Sequence, residues 1–181
     1  MALTESQAPT KVFISYSWDS EEHKEKVLNL ADHLNHDGIN CQIDRYVLAP
    51  PQGWTRWMHE QIEAAEFVLM VFTENYRQRM EGKAAAGVGQ GVTYEGAIIT
   101  NLLYYDNFIK HNEKFIPIIF SPTDRQYISR LLIHFQSHDL STEFGYEDLY
   151  RHLTKQPFIK QPELGKPKIF SERQRQPKPN P

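Results

Sequence analysis

The chain has 181 residues, 40% hydrophobic and 24% charged, a composition that suits one globular domain of ordinary size with tails. Its formal net charge of −3 lacks the basic excess of general nucleic-acid or membrane-surface binders. The single cysteine, Cys41, excludes an internal disulfide. No apolar run approaches the roughly 18 residues of a membrane span, and MALTESQAPT has neither the basic start nor the apolar centre of a signal peptide. The expectation is a cytoplasmic protein that binds neither nucleic acid nor membrane.

Residues 1–10 read as a loose polar arm. Lys11 to Tyr16, KVFISY, is a β-branched and aromatic run that predicts a buried strand. Turn chemistry follows over Ser17–Ser20, and Asp19 or Ser20 can cap a helix through His36 whose apolar face is Val27, Leu28, Leu30, Ala31 and Leu34. Gly38 suits the end of that helix. Ile39–Ile43 predicts a second strand in which Cys41 is a small buried hydrophobe.

Asp44 to Gly53, DRYVLAPPQG, is a long loop whose Pro50 and Pro51 continue neither helix nor central strand. A helix over Trp54–Ala64 follows, with Glu60 and Glu63 on its solvated face, and then the apolar FVLMVFT strand, Phe67–Thr73. Glu74–Met80 predicts a short helix or turn and Glu81–Gly91 a small-residue loop. Lys114–Phe120 is a fourth strand whose Pro117 places an irregularity or an edge on one side. The last elements are a helical turn over Tyr127–Phe135, a short strand at His138–Leu140 and a helix over Tyr146–Lys155. Residues 157–181 hold six of the eleven prolines, and 156–181 suits a basic linker leading to a further domain, or a disordered tail. Strands alternating with helices indicate a parallel sheet covered on both faces. Ligands then sit beyond the carboxyl ends of the strands, at Ser17–Asp19, Asp44–Gly53, Thr73–Gly91 and Ser121–Arg125.

Between the third and fourth strands runs GVGQGVTYEGAIITNLLYY, Gly87–Tyr105. Tyr94, Ala97, Ile98, Leu102 and Tyr105 recur at helical spacing. Thr93 suits the N-cap, and Glu95 falls in the first turn, where the amide groups and helix dipole favour an ionised carboxylate. From the residues alone, Glu95 is either a helix-stabilising acid or a catalytic one. Other motifs carry less. Gly87, Gly89 and Gly91 lack dinucleotide-loop spacing, Gly165–Lys166 precedes a proline and is no phosphate loop, and His134 and His138 have no third ligand, so no metal is expected.

KVFISYS, the DRY…PPQGW loop, WMHEQIEAAEFVLMVFTENY and GVTYEG together resemble the SEFIR family, relatives of TIR domains, and its bacterial branch in particular. The resemblance covers about residues 11–155 and implies a flavodoxin-like α/β fold: five parallel strands in the order 2-1-3-4-5 with helices on both faces. It makes the 44–53 loop a self-association segment, with Asp44, Val47, Leu48, Pro50, Pro51 and Gly53 as its candidate residues. In enzymatic TIR relatives a helix glutamate cleaves the nicotinamide–ribose bond of NAD, which here is Glu95. The implied function is an NAD glycohydrolase that needs no cofactor, is activated by self-association, and serves bacterial antiphage immunity by depleting NAD. The other reading is a non-enzymatic adaptor acting by homotypic interaction. The tryptophan common four residues before the glutamate is replaced by Gly91, so Tyr94, Trp54 or Trp57 would supply the aromatic surface. Arg45 and Tyr46 are candidates for holding the pyrophosphate, although a solvated arginine is the equal alternative for Arg45. Ser15, Tyr16 and Ser17 end the first strand near the expected pocket, Tyr16 as either lining or core.

Overall fold

The computed structural model describes residues 8–81, 113–130, 132–133 and 135–173. Five parallel strands, β1 (Lys11–Ser15), β2 (Asn40–Gln42), β3 (Phe67–Val71), β4 (Phe115–Ile119) and β5 (His138–Asp139), form one sheet in the order β2-β1-β3-β4-β5. Among the described residues, the helices are α1 (Glu21–His36), α2 (Trp54–Ala64), α3 (Glu74–Met80) and α4 (Gly145–Thr154). This is the sheet that the sequence implied. The helix expected over 87–105, with Gly91, Tyr94 and Glu95, lies outside the described residues, as does His134.

The pleat sorts alternate side chains into two cores. Val12, Ile14, Leu69, Val71, Ile116 and Ile118 face α1 and α4, where Val27, Leu30, Ala31, Leu34, Leu149 and Leu153 meet them. Phe13, Val68, Met70, Phe115 and Ile119 face α2 and α3, against Trp57, Met58, Ile62 and Tyr76. β3 is buried at all five positions, which is why its sequence shows no polar alternation. Cys41 is fully buried, and burial pushes its thiol up to about 12, so it behaves as a small hydrophobe.

Side chains that leave the ladder decide where the elements end. Ser20 caps α1 by accepting from the His23 amide, and Gly38 takes φ +90° after the helix. Thr73, read as strand, instead caps α3 by accepting from the Tyr76 amide. Tyr16 likewise falls outside β1. In β4, the bonds from Val68 N to Lys114 O and Phe72 N to Ile118 O direct even-numbered residues to β3, and that from Leu140 N to Ile119 O directs odd ones to β5. The missing N–H of Pro117 thus faces β5, a two-residue edge strand that pairs only with Ile118 and Ile119.

The helical turn expected over Tyr127–Phe135 is displaced. A 3-10 turn runs over Pro122–Tyr127, because Ser121 caps it and Pro122 presets its first φ, and isolated turns follow from Ile128. α4 starts at Gly145, where an added Cβ would lie 2.1 Å from the Asp139 carbonyl oxygen, so only glycine permits this approach to β5.

His138, on β5, meets His152 on α4 with Nε2 and Nδ1 2.9 Å apart, one nitrogen donating and the other accepting. The bond needs at least one neutral ring. Burial, then His152, hold the His138 pKa down to about 4, against the nearby Asp148; burial also lowers that of His152, against Glu113. The folded pKa lies below the unfolded value, so this stability is complete above about pH 6.5 and is lost as pH falls toward 4. Denaturant melts between pH 7 and pH 4 should lose on the order of 3 kcal/mol through this pair, and His138→Gln should flatten that slope. An unchanged slope in the variant would show that other groups carry the acid sensitivity.

Candidate functional site

The carboxyl edge of β1 and β2 gathers most of the described residues that the sequence singled out. β2 ends at the buried Ile43, and Asp44–Tyr46 forms a 3-10 turn closed by Val47 N donating to Asp44 O at 3.0 Å. Three consecutive side chains of this turn reach back to the β1–α1 unit. Asp44 accepts from the Tyr16 hydroxyl at 2.7 Å on one carboxylate oxygen and from the Trp18 indole N–H at 2.9 Å on the other. Arg45 donates to Glu25 at 2.7 Å and to the Lys24 carbonyl at 3.3 Å. Tyr46 donates to Asp32.

The sequence left Tyr16 open between lining and core. It is core: only 5% exposed, with its hydroxyl spent on Asp44. Burial first, then the bond to Asp44, raise its pKa far above the ordinary tyrosine value, so it stays a neutral donor. Burial and Asp32 push Tyr46 up to about 12. Arg45 is half of an ion pair with Glu25, so its guanidinium is neither free in water nor deeply fixed. Ser15 and Ser17 are buried, and their hydroxyls join β1 to the α3 end of the sheet, Ser15 with Tyr76 at 2.8 Å and Ser17 with Thr73 at 3.2 Å.

Beyond Tyr46 the loop divides. Val47 packs on the α2-side core and Pro50 is buried, whereas Leu48 is 99% exposed and Pro51 is also exposed. Gly53 N donates to Pro50 O at 3.0 Å, and Gly53 takes φ +82° as the cap of α2, a conformation that glycine adopts without strain. Trp57 stands edge-on to Phe13 with centroids 5.9 Å apart, which makes it core. Trp54 rests on Trp57 at 5.7 Å and is 44% exposed. Gln52, Gly53, Trp54, Thr55, Arg56 and His59 line an open cleft of about 420 Å³. Glu95 and Tyr94 lie outside the described residues.

Sequence reading missed Trp18. A lone aromatic inside a polar turn has no periodicity to mark it, yet it bonds Asp44 through its indole N–H and is 61% exposed. Among the described residues, no group of three or more His, Cys, Asp or Glu could hold a metal ion, and no helix is long and apolar enough to cross a membrane.

A doubly wound parallel sheet in this order, with loops gathered at its carboxyl edge, is the flavodoxin-like α/β arrangement. The SEFIR domain model matches residues 10–153, and the chain belongs to the SEFIR family. Among solved structures it is similar to a prokaryotic SEFIR domain, 31% identical with a TM-score of 0.61, covering 85% of this chain and 98% of that one. It is also similar to a metazoan TIR-STING receptor from C. gigas in complex with 2',3'-cGAMP, 13% identical with a TM-score of 0.55; the match covers 80% of this chain and 39% of the receptor. A second structure of that receptor matches at 13% identity and a TM-score of 0.53, covering 85% of this chain and 43% of that one. At that identity the likeness is one of fold. No curated protein matches.

Tyr16 and Trp18 share one carboxylate, so their contributions should not add. Tyr16→Phe should cost about 1–2 kcal/mol in denaturant melts, and Trp18→Phe, which removes an exposed bond, less than about 1. The double variant should show coupling of about 0.5 kcal/mol or more; strict additivity would mean that Asp44 does not link them.

Proposed function

We propose that this SEFIR domain is an NAD glycohydrolase that acts when copies of it self-associate, and that Glu95 is its catalytic carboxylate. The observation that supports this is the cluster beyond β1 and β2, where an exposed indole stands beside Lys24, whose carbonyl accepts from Arg45. Aromatic surface beside cations suits a dinucleotide, and doubly wound sheets bind ligands at this edge.

The chemistry needs one acid. Breaking the nicotinamide–ribose bond builds positive charge on the ribose, and a carboxylate stabilises that oxocarbenium-like state while accepting from ribose hydroxyls. The nicotinamide of NAD is already cationic and departs with the bonding pair as a neutral ring, so no proton has to be supplied. Water then captures the ribosyl carbon to give ADP-ribose, or an adenine nitrogen captures it to give a cyclic product. In this reading Arg45 exchanges Glu25 for the pyrophosphate, while Tyr16, Ser15 and Ser17 act by holding the edge in shape. Trp54 and the outer loop residues Leu48, Pro51 and Gly53 serve contact between copies. The setting is cytoplasmic and the role bacterial antiphage defence by NAD depletion.

The second reading is a non-enzymatic adaptor. It draws support from Leu48, which stands in solvent, and from Trp54, whose exposed ring lines an open cleft; exposed apolar surface of this kind fits a homotypic contact whether or not any turnover follows.

Nicotinamide release from NAD should rise faster than linearly with protein concentration, because only the assembled fraction is competent. Glu95→Ala should lower release at least about a hundredfold, the cost of removing about 3 kcal/mol of transition-state stabilisation, while leaving fold and oligomer size unchanged. No release by the wild type at any concentration, with association that Leu48→Glu abolishes, would establish the adaptor instead.

A further inference from the structure

Trp18 is held in place on several sides. The Asp19 N–H donates to the Ser17 carbonyl at 3.0 Å, a tight turn with Trp18 at its centre that turns the side chain outward from the end of β1. Its only polar atom, the indole nitrogen, donates to Asp44 at 2.9 Å, and Asp44 is fixed in turn by Tyr16. The ring is therefore oriented by its edge, yet the side chain remains 61% exposed. Burial gains nothing from an arrangement that fixes a large apolar plane and leaves it in water. It is the arrangement that a stacking platform needs, since the plane is preorganised before the ligand arrives.

The neighbours favour one kind of ligand. The Lys24 ammonium lies 5.4 Å from the indole centroid, and the Arg45 guanidinium reaches the Lys24 carbonyl. Both cations are paired with exposed glutamates, Lys24 with Glu21 and Arg45 with Glu25, and such surface pairs are weak enough to yield to a phosphate. A cation already sits against the indole, so a second cation such as the nicotinamide ring of NAD is disfavoured there, while a neutral purine whose phosphates trail toward Lys24 and Arg45 is favoured.

We propose that Trp18 is the platform on which the adenine end of the dinucleotide stacks, its plane set by Asp44 and its phosphates met by Lys24 and Arg45. The inference rests on the reading of the domain as NAD-binding, but it is a statement about binding and is separable from turnover.

The test uses the full chain carrying Glu95→Gln, which keeps substrate intact, and follows the indole N–H signals by nuclear magnetic resonance. The chain has three tryptophans, and loss of one signal in Trp18→Phe assigns the relevant one. AMP and NAD should shift the Trp18 signal saturably, and nicotinamide mononucleotide should not. Trp18→Ala should weaken AMP binding about tenfold or more, the usual worth of one stacked base, while Trp18→Phe, which keeps a ring face, should retain most of it. If nicotinamide mononucleotide moves Trp18 and AMP does not, the assignment of the adenine end is overturned. A Trp18 signal that ignores every nucleotide but changes with protein concentration would make this a contact between copies and overturn the platform. Unchanged KM for NAD in Trp18→Ala of an otherwise active enzyme would also overturn it, leaving the hydrolase reading intact. Saturable AMP binding on Trp18 in a protein that releases no nicotinamide would uphold the platform and remove the hydrolase.

Discussion

The functional edge of this domain hangs on one carboxylate. Asp44 stands at the point where the chain leaves β2, and its two oxygens collect Tyr16 from the end of β1 and Trp18 from the turn beyond it. Two segments that are separated in sequence by α1 and β2 are thereby fastened to each other at the edge where ligands bind in such folds. Arg45 and Tyr46 repeat the attachment along α1, through Glu25 and Asp32. The result is a loop with a fixed root and an exposed tip: Asp44–Tyr46 is tied down, while Leu48 stands fully in solvent. The burial of Tyr16 strengthens the tie, because a hydroxyl held away from water loses more when its bond to Asp44 is broken.

The remainder of the fold makes such an edge affordable. Both faces of the sheet are closed by helices, and β3 at its centre is buried throughout, so most of the hydrophobic core lies between the layers, with Val47, Ile128 and Leu132 adding to it from the loops. Ser15 and Ser17 extend the order of the sheet to its rim through Tyr76 and Thr73. Beyond the rim the surface changes character, with Trp18, Trp54 and Leu48 exposed where most large apolar side chains are buried. In the proposed reading the pinned ring recognises a small planar ligand near Asp44, and the exposed Leu48 and Trp54 meet a second copy.

Much of this fold is legible in the sequence. The α2 helix runs over the residues its pattern marks, Trp54–Ala64, since Gly53 opens it at positive φ and Pro50 and Pro51 keep the preceding chain from joining it. The strands were read too long for a physical reason: Thr73 has the branched side chain of a strand residue, but its hydroxyl is used to cap α3. His138 was read as strand and lies on β5, but its partner, His152, comes from α4, and no local pattern pairs the two. At the site, the residues were largely legible and their duties were not. Asp44 was recognised as part of a loop, but its partners are 26 and 28 positions away, and no local pattern records that. Tyr16, Ser15 and Ser17 were placed near a pocket by strand order; only three dimensions show their hydroxyls engaged within the protein. For Glu95, outside the described residues, the case stays with the sequence.

The most direct test of the central role given to Asp44 is hydrogen exchange of the intact chain with and without Asp44→Ala, read segment by segment. Exchange should quicken across residues 16–20 and 44–53 together, with β3 and β4 amides unchanged, because one carboxylate fastens both segments to the core. Exchange that is unchanged in the two segments, or that rises equally throughout the sheet, would contradict it.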